Sequence, residues 1–213
     1  MILALRMTEI LDFFIDAYRE TSTLFIVLEA IAFFFGIASV WYAKKENILV
    51  YPTGLIATTI TVYLLYKANY FGDMMMNFYY SIMSIYGWWN WSRKKGAEYV
   101  VPISRTNTKE KLIGFGLFVM TMCITYAVYK FFDYEIETVN YIDIFTSGIF
   151  FTAMWYMATK KIENWTLWIF ADIITVPLYA YRGLGMLSLQ YLIFTILAIQ
   201  GYLAWKKSLD KNL

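Results

Sequence analysis

The chain has no histidine, one cysteine and three prolines in 213 residues. Without histidine, haem, di-iron hydroxylase and zinc-protease chemistry lack their usual ligands in a membrane bundle. Cys123 has no second thiol with which to form an intrachain disulfide, and in its apolar run it reads as a small hydrophobe. No glycine-rich phosphate loop appears, which argues against ATP-driven pumping by this chain alone. A retinal protein needs a lysine in the middle of its last helix, whereas Lys206 and Lys207 stand at the end. Enzyme chemistry is left with little to work with, and no cofactor or metal is expected. Charge is scarce as well: 16% of the residues are charged, against roughly 25% in a soluble domain. The net charge of +2 gives no nucleic-acid-binding surface.

What is abundant is apolar and aromatic. Hydrophobic residues make up 60% of the chain, aromatics 21%, and the mean hydropathy is +0.51. A bilayer-spanning helix needs about 20 mostly apolar residues. Seven stretches approach that: Phe25–Ala43, Ile48–Tyr66, Met74–Trp91, Leu112–Phe131, Tyr141–Thr159, Trp165–Tyr181 and Leu184–Trp205. The expected fold is an all-α membrane protein of seven transmembrane helices, with the lipid bilayer as its solvent.

Loop charges orient it. One side receives Lys44, Lys45, Arg93, Lys94, Lys95, Arg105, Lys109, Lys111, Lys160, Lys161, Lys206, Lys207 and Lys211. The other receives Arg6, Arg19, Lys67, Lys130 and Arg182, with the acidic Asp133, Glu135 and Glu137. Basic residues collect in cytoplasmic loops, which places the C-terminus inside and the N-terminus outside a bacterial inner membrane. Residues 1–23 lack the pattern of a cleavable signal peptide. Their helical amphipathic spacing suits a helix lying at the membrane surface or against a neighbouring subunit.

The chain also repeats itself. Trp41-Tyr42, Lys44-Lys45 and Glu46-Asn47 return as Trp155-Tyr156, Lys160-Lys161 and Glu163-Asn164. Thr61-Val62 returns as Thr175-Val176, and Gly87 to Trp91 as Gly201 to Trp205. The offsets drift from 114 to 117 residues. The expected arrangement is 3+1+3: a first three-helix bundle over residues 24–92, a basic loop and linker helix over 93–139, a second bundle over 140–207 and a tail at 208–213. Such repeats in an apolar chain mark a transporter with one site between two similar bundles.

Candidate ligand residues are aromatics and amides. Trp165 and Trp168 lie three apart on one helix face, preceded by Asn164. Asn77, Ser81 and Ser84 form a polar stripe, with Tyr86 and its counterpart Gln200 farther along. Indole faces with amide donors suit a flat heteroaromatic ligand with polar edges. The competing readings are an interfacial aromatic belt for the tryptophans and helix-to-helix glue for the stripe. Asp172 lies deep in the sixth stretch, where a carboxylate is either functional or bonded to a neighbouring helix. Pro52 and Pro177 are expected flex points.

Glu163-Asn164-Trp165-Thr166-Leu167-Trp168-Ile169, Asp172, Pro177-Leu178-Tyr179 and Gly201-Tyr202-Leu203-Ala204-Trp205-Lys206 resemble the C-terminal half of the PnuC vitamin transporters. Gly72-Asp73-Met74 through Asn77, with Tyr86-Gly87-Trp88-Trp89-Asn90-Trp91, is similar to their first half. The resemblance implies a duplicated three-helix unit of the SWEET type with a linker helix, assembled as a homotrimer. It implies uptake of nicotinamide riboside by facilitated diffusion, with a cytoplasmic vitamin kinase trapping the product by phosphorylation. It assigns Trp165 and Trp168 to the substrate, with Asn164 and Asn77 as polar contacts and Gln200 and Tyr86 next; Ser81 of the polar stripe and Asp172 join the candidate set from the residues themselves. Thiamine or a riboflavin-type compound is the alternative cargo. A SWEET-like sugar carrier and a non-transporting sensor are the other readings.

Overall fold

The computed structural model describes residues 21–67, 71–95, 98–99, 101–131, 138–181 and 185–211. Seven helices stand among them: α1 (Thr23–Lys44), α2 (Val50–Lys67), α3 (Phe71–Ser92), α4 (Thr108–Phe131), α5 (Thr138–Ala158), α6 (Glu163–Tyr181) and α7 (Gly185–Lys211). Two short strands, β1 (Lys94–Lys95) and β2 (Glu98–Tyr99), pair antiparallel after α3. By length and composition alone, α1, α4 and α7 are long and apolar enough to cross a membrane. The expected amphipathic helix at the N-terminus and the acidic run at Asp133 lie outside the described residues.

Contacts run from α1 to α2 to α3, and again from α5 to α6 to α7. Helix α4 packs on α5, and the two sets of three meet through α1 with α7 and α3 with α5. The C-termini of α1, α3, α5 and α7 share one end with Lys44, Lys45, Arg93, Lys160 and Lys161, termed here the basic end. Helix α4 starts at that end with a capping box. The Glu110 amide donates to Asn107 Oδ1 at 2.9 Å, and the Asn107 amide donates to Glu110 Oε2 at 2.8 Å.

The helix connections correct the repeat register. After α1, the amides of Glu46 and Asn47 donate to the Ala43 and Tyr42 carbonyls. After α5, those of Lys160 and Lys161 donate to Met157 and Tyr156. Each pair is offset by 114, so the structural counterpart of Glu46 is Lys160. The expected match of Glu46-Asn47 to Glu163-Asn164 at 117 is a coincidence of letters. Glu46 and Lys160 also share a left-handed backbone, with φ of 56° and 53°. A non-glycine residue there costs roughly 1–2 kcal/mol, and both turns bear it.

The two expected flex points differ. Pro52 is the third residue of α2, where a missing amide costs no helical hydrogen bond, so no hinge is expected there. Pro177 is inside α6 and removes one.

Candidate functional site

At the basic end the two sets build the same three-part joint. Tyr51 of α2 lies flat on Gly87 of α3 and edge-on to Trp91, with ring centroids 5.1 Å apart at 86°. Trp165 of α6 lies on Gly201 of α7 and edge-on to Trp205, at 5.5 Å and 89°. Every position is offset by 114. Glycine is required at both contacts: a Cβ on Gly201 would sit 2.6 Å from the Trp165 ring. The joints then cross over. Trp205 Nε1 donates to the Ala43 carbonyl of the first set at 3.0 Å, and Trp91 Nε1 to the Met157 carbonyl of the second at 3.2 Å. Together with Val50, Ile162 and Ala198 these rings form one buried cluster across both sets.

Trp165 therefore belongs to a packed plug, only 1% exposed, and its Nε1 has no hydrogen-bond partner. Asn164 is buried beside it and uses its amide nitrogen on the Lys161 carbonyl, leaving Oδ1 without a partner. Tyr86 and Gln200 stand exposed at this end, with Gln200 accepting from Lys44 Nζ at 2.8 Å. Trp168 packs against the edge of this cluster without being buried in it.

Trp168, half-buried, lies one layer deeper among Tyr80 (6.1 Å between centroids) and Phe150 (5.5 Å). Phe150 continues to Tyr191 at 5.9 Å, and Tyr191 to Tyr179 at 5.3 Å. The positions equivalent to Phe150, Trp168, Asp172 and Tyr191 in the first set are Gly36, Gly54, Thr58 and Asn77. There the groups are small and polar: Thr58 Oγ1 and Ser81 Oγ share a hydrogen bond of 2.7 Å, Ser81 donates to the Asn77 carbonyl at 3.0 Å, and Ser39 donates to the Val50 carbonyl at 2.8 Å. Apart from Tyr80 of α3, the rings of this layer come from the second set, and the first set contributes mainly hydroxyls.

Two polar groups at this depth stand out. Asp172 is 1% exposed, and its Oδ1 has no hydrogen-bond partner. A buried carboxyl oxygen without a partner is costly. Gln190 was missed in the sequence reading. It is the counterpart of Met76, and its Nε2 faces Gly36 across the seam between α7 and α1, 3.3 Å from where a Cβ would be. Its signal was present, since an amide inside the apolar run Leu187–Phe194 is as unusual as Asn77.

The model of the nicotinamide mononucleotide transporter family matches residues 26–207. The chain belongs to that family. Among curated relatives, the nicotinamide riboside transporter PnuC of Escherichia coli (strain K12) is 24% identical over 205 residues, covering 85% of each chain. The PnuC of Neisseria mucosa is 23% identical over 194 residues, covering 87% of this chain and 74% of that one. The crystal structure of the vitamin B3 transporter PnuC matches with a TM-score of 0.68 at 23% identity, covering 86% of this chain and 82% of that one. The fold is that of a transporter in this family, and the relatives are carriers rather than enzymes.

A separate apolar groove of about 330 Å³ lies between α4, α5 and α6. Its lining hydroxyls, Thr152 and Tyr156, already donate to the carbonyls of Gly114 and Glu110. It offers no free polar edge to a vitamin.

Proposed function

We propose that this family member carries nicotinamide riboside by facilitated diffusion, with phosphorylation by a cytoplasmic kinase as the trap. The supporting observation is the two-faced layer at Trp168. Tyr80, Trp168, Phe150 and Tyr191 supply ring faces, and Asn77, Thr58, Ser81 and Gln190 supply polar groups at similar depth. A pyridinium ring with an amide and a ribose presents both kinds of surface, and an arriving cation would favour the ionised form of the buried Asp172 carboxyl. Trp165 and Asn164 join the substrate only if the plug at the basic end opens, and Tyr86 and Gln200 line the way out.

In this reading all seven helices cross the bilayer of the inner membrane with the basic end in the cytoplasm. Residues 24–92 and 140–207 act as two SWEET-like bundles rocking about a common axis, with 93–139 as linker. The protomers form a homotrimer, which a mass measurement in detergent tests.

Thiamine is the second reading, because Asp172 serves any flat cation. Calorimetric titration of purified protein with nicotinamide riboside, thiamine and riboflavin separates them. Binding of nicotinamide riboside alone is expected. A clear preference for thiamine would replace the cargo, and silence with all three would remove the vitamin reading.

A further inference from the structure

A carrier must open to each side in turn, and this inference rests on that reading. The aromatic plug below Trp168 contains residues of both sets, so a substrate in the Trp168 layer has no route to the basic end until the sets part there. Among the described residues, the bonds across that seam include the two crossed indole donations, Asn90 Nδ2 to the Ala158 carbonyl at 3.0 Å, Lys44 Nζ to Gln200 Oε1 at 2.8 Å, and one ion pair. In that pair Lys160 Nζ lies 2.7 Å from Glu46 Oε1. These are the residues with left-handed φ and the 114-residue relation, so the pair forms between pseudo-equivalent positions. Lys160 Nζ also stands 4.6 Å from the centre of the Trp91 ring. Its side chain is 5% exposed, whereas that of Glu46 is 37% exposed. Water therefore reaches one partner and can take over its hydration when the pair separates.

We propose that Glu46 and Lys160 are the latch of a gate at the basic end, parting at every turnover to let substrate leave. The indole bonds and the plug rings are the gate; the ion pair holds it shut in the state described here. The turn carrying Lys160 is additionally braced. The Ser104 amide donates to the Lys160 carbonyl at 3.1 Å, the Ile162 amide donates back to Ser104 at 3.0 Å, and Lys161 Nζ pairs with Glu110 at 2.8 Å. The last three helices with this loop are the fixed jaw, and Glu46 travels with the first three.

The test uses a reporter cysteine at the plug, Ala198→Cys, in a Cys123→Ser background, labelled from the basic side by a membrane-impermeant maleimide. Glu46→Gln and Lys160→Gln are each expected to raise the labelling rate about tenfold, the scale of one charge-assisted hydrogen bond. The exchange of charges, Glu46→Lys with Lys160→Glu, is expected to bring it back. That recovery separates a latch from general loosening, which the exchange would not cure. Unchanged labelling in both single variants would overturn the latch, as would labelling that stays high in the exchanged protein. Uptake of nicotinamide riboside is followed in the same vesicles. Labelling that responds in vesicles whose parent protein moves no vitamin would leave the latch standing and remove the carrier reading.

Discussion

The first and last three helices repeat one another where they meet at the basic end and diverge one layer deeper. At the joint, Tyr51, Gly87 and Trp91 answer Trp165, Gly201 and Trp205, and the crossed indole bonds end on Ala43 and Met157. Even an internal bond is copied: Thr61 donates to the Ala57 carbonyl at 2.9 Å, and Thr175 to Ala171 at 2.8 Å. In the deeper layer Gly36, Gly54, Thr58, Met76 and Asn77 face a world different from that of Phe150, Trp168, Asp172, Gln190 and Tyr191. Two copies that must close on each other need matched parts. A ligand that lacks twofold symmetry needs unmatched ones. On the proposed function, the divergence is therefore a better pointer to the site than aromaticity alone, since rings occur at both depths.

The strongest way to break this comparison is to exchange the roles of the two tryptophans. Trp165→Ala empties a sealed cluster and is expected to cost about 3–5 kcal/mol of stability, as large core truncations do. Thermal unfolding in detergent would show it as a markedly lower Tm, and weakened binding would follow from lost fold. Trp168→Ala is expected to keep most of the stability and to lose about 1–3 kcal/mol of vitamin binding, the value of one stacked ring. Calorimetry and the melting curve together decide. Equal binding loss with no melting difference between the two variants would return Trp165 to the substrate.

Next in size are the joint glycines. Gly87→Ala and Gly201→Ala each force a ring off its seat, and overpacking of this kind costs about 1–3 kcal/mol. Because the joints are copies, the two variants should melt alike. A neutral Gly87→Ala beside a crippling Gly201→Ala would mean that only the second joint is under tension.

Much of this was legible in the letters. Seven helices followed from apolar runs long enough to need burial, and the duplication from paired landmarks such as Trp41-Tyr42 and Trp155-Tyr156. The register was not. Lys-Lys and Glu-Asn pull the alignment of the turns two or three residues out of step, while the backbone keeps an offset of 114 because turn hydrogen bonds count residues and not charges. The tryptophan pair was legible as a motif, but three-residue spacing gives a common helix face and not a common neighbour. Trp165 meets a glycine that admits it to the core, and Trp168 meets rings from α3 and α5. Gln190 went unread because its counterpart is methionine, so the repeat gave no polar echo to notice.

Asn77 and Gln190 test the unmatched layer more gently. Gln190→Met makes the second set imitate the first at that position, and Asn77→Tyr makes the first imitate the second. Each is expected to weaken binding about tenfold, the value of one or two ordinary hydrogen bonds, with melting little changed for Gln190→Met. Retained affinity in Gln190→Met would take that amide out of the site and leave it as a packing partner of Gly36.

The smallest effect belongs to the crossed indole bonds. Trp91→Phe and Trp205→Phe keep an aromatic ring in the plug and remove one donor each, leaving the Met157 or Ala43 carbonyl without that partner. A neutral hydrogen bond contributes about 0.5–1.5 kcal/mol, so each variant should melt only slightly lower. What matters is whether the two are equal in transport. The Trp91 ring also lies beside Lys160, whereas Trp205 has Glu46 as the pseudo-equivalent residue on its side. Losing the Trp91 indole thus weakens a cation–π contact as well as a hydrogen bond. Trp91→Phe should open the basic end more readily than Trp205→Phe, read as faster labelling of the Ala198→Cys reporter. Identical rates would mean that the joints are interchangeable in function as well as in form, and the asymmetry of the carrier would then reside wholly in the layer around Trp168.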